Sequence, residues 1–141
     1  MNNDNTNKFG ININTNFKNA SSGAKMILFM FWFQTSIKIF HWYTESFSNH
    51  KSTDKVLGKI MDLTDSFVEK FIGAFGRPVM RSSSIPVSNM TKTKYIKTLK
   101  VAQEYFRGPL EKLISKNSEL LNLRDELLGE VDQALYFATL K

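Results

Sequence analysis

An unbroken apolar run, MILFMFWF at residues 26–33, sits inside a longer stretch that is apolar on nearly every side. Helical spacing continues it from a cap at Ser21 or Ser22 to about Glu45, with SFSN ahead of His50 read as the break. So broad an apolar face predicts cover on more than one side, by the subunit's own core and by another chain. A second helix is expected from near Lys51–Thr53, capped by Ser52 or Thr53, to the stop at Gly76 and Pro78. Ser88 or Asn89 opens a third, reaching about Lys116 through Ile96, Leu99, Ala102, Phe106, Leu110 and Leu113, with a bend at Gly108 and Pro109. Asn117 or Ser118 starts the last, through Leu121, Leu127, Leu128, Val131, Leu135 and Ala138.

The segment between the second and third helices, RPVMRSSSIPVSN at 77–89, is long enough to travel the length of a bundle. Short, long and short connections predict an all-α four-helix bundle with one long crossover, the ferritin-like arrangement, over residues 21–141. Residues 1–20, MNNDNTNKFGININTNFKNA, lack a sustained apolar period and read as a flexible Asn-rich tail.

Composition narrows this picture. With 42% hydrophobic residues and twelve Phe, the chain has enough apolar surface to build a core. The absence of Cys removes disulfides, thiolate metal sites and cysteine nucleophiles. Lys25, Gln34 and Lys38 bracket the apolar run, which falls well short of the roughly 20 residues that a membrane span needs. No cleavage pattern follows it either, so a soluble, intracellular protein is expected. A formal charge of +6 favours anionic partners without selecting one.

The second helix carries the candidate chemistry. On a helical wheel Val56, Leu57, Ile60, Leu63, Phe67, Phe71 and Phe75 cluster as a core face, while Lys55, Lys59, Ser66 and Lys70 form a solvated side. Asp54, Asp65 and Glu69 share a third stripe with Gly58, Met61 and Ile72. Carboxylates among apolar neighbours would be costly if covered and unpaired, and a bound cation would offset that cost. The chain's only histidines, His41 and His50, lie just ahead of them in HWYTESFSNHKSTD.

The pairs His50 with Asp54 and Asp65 with Glu69 are each four residues apart, so each shares one helix face. Asp54 and Asp65, however, stand roughly 16 Å apart along the helix, too far to share an ion. Two antiparallel copies related by a two-fold axis remove the difficulty, bringing His50 and Asp54 of one chain to Asp65 and Glu69 of the other. His41 is a candidate further ligand. Imidazole with carboxylate suits Fe(II), Mn(II) or Zn(II). Singly, a helix-end histidine is more often a polar contact and a flanking acid more often a partner of Lys; the joint fit to one two-fold geometry argues for metal. No Glu-x-x-His motif is present to build a di-iron centre within one bundle.

The stretch HWYTESFSNHKSTDKVLGKIMDLTDSFVEKFIG resembles the signature of the Dps-like miniferritins, in which a His-Trp pair ends the first helix and a Phe and a second His open the next. His50-x3-Asp54-x10-Asp65-x3-Glu69 matches that family's ligand spacing, and EVDQALYFATLK resembles the end of its last helix, so the likeness covers about 24–141. The segment from His41 to His50 and the crossover are both shorter than the family pattern. The compact motif and Asn-rich tail look most like divergent members from large DNA viruses or phages. The resemblance implies a hollow dodecamer with ferroxidase sites at its two-fold interfaces. His41, His50 and Asp54 would come from one subunit and Asp65 and Glu69 from its partner. Fe(II) would be oxidised there by peroxide or oxygen and stored as mineral.

Trp42 is expected to pack at that interface or to quench oxidising radicals. The resemblance places the protein in the cytoplasm, on the nucleoid or in a virion. A different role is an architectural cage with weak or lost iron chemistry, binding DNA or a virion component through Lys8, Lys18, Lys92, Lys94, Lys97 and Lys100. Such contacts would weaken steeply with salt.

Overall fold

The computed structural model describes Phe17 and residues 20–140; Lys8, Lys18 and nearly all of the expected tail lie outside the described residues. Its elements are α1 Ser22–Tyr43, α2 Phe47–Phe75, α3 Lys92–Arg107, α4 Pro109–Ile114 and α5 Ser118–Ala138, and no strand occurs among the described residues. The fold is an all-helical bundle. No helix among the described residues is long and apolar enough to cross a membrane.

Local chemistry explains most boundaries. The Ser21 hydroxyl accepts from the Ala24 N–H at 3.3 Å, and the Asn117 side chain accepts from the Leu120 N–H at 3.0 Å; both caps are where the sequence suggests. The start of α2 differs. The Ser46 hydroxyl accepts from the Asn49 N–H at 3.2 Å, so SFSN closes the link and forms the first turn of α2 instead of interrupting a helix. Ser46 is held in place by its own N–H, which donates to the Thr44 hydroxyl at 3.1 Å. Only residues 44–46 therefore separate α1 from α2. Thr91 caps α3 in place of Ser88 or Asn89. At Gly108 the helix ends rather than bends, because Pro109 has no N–H to continue the ladder and instead takes the first position of α4.

Aromatic contacts set helix directions. Phe40, late in α1, stacks on Tyr95, early in α3, at 4.3 Å between centroids. Phe29, early in α1, stacks on Tyr105, late in α3, at 3.8 Å and meets Phe106 edge-on at 5.9 Å. The two helices are therefore antiparallel. Thr64 of α2 reaches the Met30 sulfur of α1 at 3.9 Å, and Phe71 lies near Gly23, so α1 and α2 are antiparallel too. It follows that α2 and α3 run in the same direction. The segment joining them begins against α1: a Cβ on Gly23 would stand 2.8 Å from Pro78 Cγ, so a larger residue there would push the connection away.

Phe29, Phe33, Phe40, Phe67 and Phe106 are the largest fully buried side chains, contributed by α1, α2 and α3, while Leu127, Val131 and Ala134 close the core from α5. Burial pushes the phenol pKa values of Tyr95 and Tyr105 well up, which keeps both neutral within this core.

Candidate metal centre

The three-residue link between α1 and α2 folds the last turn of α1 onto the first turn of α2, and the two histidines meet there. Their rings stack with centroids 3.9 Å apart and planes 19° from parallel. Each ring is anchored by the backbone of the other residue. His41 Nδ1 lies 2.9 Å from the His50 carbonyl, and His50 Nδ1 lies 3.0 Å from the His41 carbonyl. A carbonyl oxygen only accepts, so both Nδ1 atoms carry the proton and donate. With Nδ1 so engaged, Nε2 is the ring atom left to offer a lone pair to a metal.

Thr53 completes the junction. Its fully buried hydroxyl donates to the Asn49 carbonyl at 2.7 Å and accepts from His41 Nδ1 at 3.1 Å. Sequence reading offers Thr53 only as a helix cap, and its contact with His41 spans twelve residues that become neighbours only when the hairpin closes. His41 is 7% exposed, whereas His50 is at the surface.

Further along α2, Asp54, Asp65 and Glu69 are all exposed and make no ion pair among the described residues. Around them the single chain leaves apolar surface uncovered: Phe31 is 51%, Met61 50% and Trp42 65% exposed. One hollow of about 240 Å³ is lined by Ile27, Phe31, Gln34, Met61, Asp65 and Val68. Its neighbour, about 430 Å³, is lined by Gln34, Lys38, Trp42, Leu57 and Met61. Lys38 Nζ sits 5.4 Å from the Trp42 ring, shielding one face of the indole.

His41 and His50 are thus brought together, and Asp54 follows His50 one turn later, whereas Asp65 and Glu69 remain further down the helix. Among the described residues, no three His, Asp or Glu side chains of one chain converge as a metal-holding group. Of the lysines proposed to meet phosphate, Lys92, Lys97 and Lys100 are exposed on α3, and Lys94 donates to the Ser88 hydroxyl.

A family of unknown function, DUF5856, matches residues 41–137, well over half of the chain. The protein belongs to DUF5856. No curated protein and no solved structure matches it. The DUF5856 match begins at His41, so it takes in both histidines, Asp54, Asp65 and Glu69 of α2 and all of α3 and α4, while leaving out most of α1.

Proposed function

We propose that this DUF5856 protein is a Dps-like cage that oxidises and stores iron at sites shared by pairs of subunits. The observation that carries the reading is the α1–α2 face: His50, Asp54, Asp65 and Glu69 offer uncommitted ligand atoms on a surface whose apolar residues are left bare in one chain. Two copies crossing antiparallel on this face would bury Phe31, Met61 and Trp42. The same contact would bring His50 and Asp54 of one subunit to Asp65 and Glu69 of the other, twice over by symmetry.

The fold supports this assignment. Because α2 and α3 run in the same direction, residues 76–91 have to return along the bundle. Sixteen residues span up to about 53 Å, enough to pass a 29-residue helix about 43 Å long. A connection of that length and course is what the ferritin-like arrangement requires, which supports the reading.

In this site Fe(II) is the substrate. Neutral imidazole and carboxylates bind it, and each ferrous ion gives one electron to peroxide or oxygen. Hard carboxylate oxygens then favour the ferric product. Aerobic oxidation of ferrous iron, followed by absorbance, tests the reading. Loss of outer-shell partners alone costs 10–100-fold at metal sites, so His50→Ala combined with Asp65→Ala should slow oxidation more than about 100-fold. Equal rates for variant and wild type would end the ferroxidase proposal.

A further inference from the structure

The resemblance implies that both histidines are ligands, yet the geometry of the junction separates their roles. We propose that His41 is a positioning residue and that each ion takes a single imidazole, that of His50. The inference rests on the metal-site reading above and deepens it.

A metal ion sits in the plane of the imidazole that binds it, about 2.1 Å from the nitrogen. The rings of His41 and His50 are stacked at 3.9 Å and tilted by only 19°, so their planes do not meet within reach of either Nε2. An ion at bonding distance from both would stand more than about 1 Å out of at least one ring plane, away from the lone pair. No single ion therefore takes both rings of a stacked pair.

Accessibility selects which ring. His50 is exposed and shares its helix face with Asp54, four residues on. His41 is 7% exposed, and its Nδ1 proton is shared between the His50 carbonyl and the Thr53 hydroxyl. It lies as a flat platform beneath His50, and its own carbonyl accepts the His50 Nδ1–H at 3.0 Å. Platform and carbonyl together hold the His50 ring in one tautomer and one orientation, with Nε2 directed away from the backbone.

Zn(II), which undergoes no redox change, is the probe. X-ray absorption of the wild-type protein loaded with zinc should show one imidazole per ion, and two would overturn the proposal without any variant being made. Zinc affinity, measured by competition with a chromophoric chelator, supplies the second readout. His50→Ala should weaken binding about 100-fold and His41→Ala about 10-fold, the range found for outer-shell partners. His41→Phe should restore most of the His41→Ala loss, because it returns a flat ring under His50 yet has no lone pair. A His41→Phe protein as weak as His50→Ala, with unchanged helical circular dichroism, would make His41 a ligand and overturn the proposal. Wild-type protein that takes up no zinc would instead remove the metal-site reading, and this inference with it.

Discussion

The outer face of α1 and α2 and the side of the bundle built by α3, α4 and α5 handle their polar groups in opposite ways. On the second side one cluster of charges is paired within the chain. Arg124, 12% exposed, donates to the Phe106 carbonyl at 3.1 Å, to Glu111 at 3.1 Å and to Asp125 at 2.8 Å. Burial alone would lower the Arg124 pKa, but the hydrogen bonds to Asp125 and Glu111 outweigh it and push it up, so the guanidinium stays charged. Gln103 likewise donates to Asp132 at 2.6 Å, across α3 and α5. Nearer α2, Glu130 faces Lys59 at 3.6 Å, and its Oε2 is the one buried side-chain oxygen or nitrogen among the described residues without a hydrogen bond. The α1–α2 face has no such internal pairing for Asp54, Asp65 or Glu69 and leaves Phe31, Met61 and Trp42 bare. One side pairs several of its polar groups within the chain; the other leaves apolar residues bare beside unpaired acids, as the interface proposed above would require.

The contrast can be broken where it is strongest. Placing charges in the bare apolar centre, Phe31→Glu with Met61→Glu, should reduce the scattering mass from that of a multimer to one chain of 16.2 kDa. The helical circular dichroism should stay intact, since both side chains are about half exposed in the single chain. A wild-type protein already at the single-chain mass would refute the interface outright. On the opposite side the effects fall on stability instead. Phe106→Ala removes a fully buried ring that meets Phe29, Phe33 and Tyr105 and should cost about 3–5 kcal/mol in urea unfolding. A loss under about 1 kcal/mol would mean that α3 is not part of one cooperative core. Smallest is Arg124→Ala, which removes the donor to the part-buried Phe106 carbonyl and should cost about 1 kcal/mol with the assembly mass unchanged. A change in mass there would move the interface to the wrong side.

Much of this arrangement was legible in the residues. The breadth of the apolar run of α1 predicts cover from a second chain, yet its own chain buries Met26, Leu28, Phe29, Met30, Trp32 and Phe33 and leaves only Phe31 of that run half out. The core face assigned to α2 holds at Val56, Leu57, Ile60, Phe67 and Phe71, all buried, but not at Phe75, which is 51% exposed beside the helix end. Periodicity cannot see that a helix outruns the core beneath it. Nor could it place the start of α2, because Ser46, Ser52 and Thr53 are all credible caps by residue type. What decided among them was the Thr44–Ser46 contact and the demands of folding α2 back onto α1.

By itself, then, the sequence determined the helical period, the stop at Gly76–Pro78, the position though not the kind of interruption at Gly108–Pro109, read as a bend and found as a break, and the shared face of Asp54, Asp65 and Glu69, because each depends on a residue's own backbone preference or on spacing along a helix. Only the tertiary structure decided that His41 and His50 stack, that each ring donates to the other's carbonyl, and that Thr53 supports the pair. Those contacts join residues nine and twelve positions apart across a tight link, and their geometry arises from how two helices pack rather than from any property of the residues taken singly.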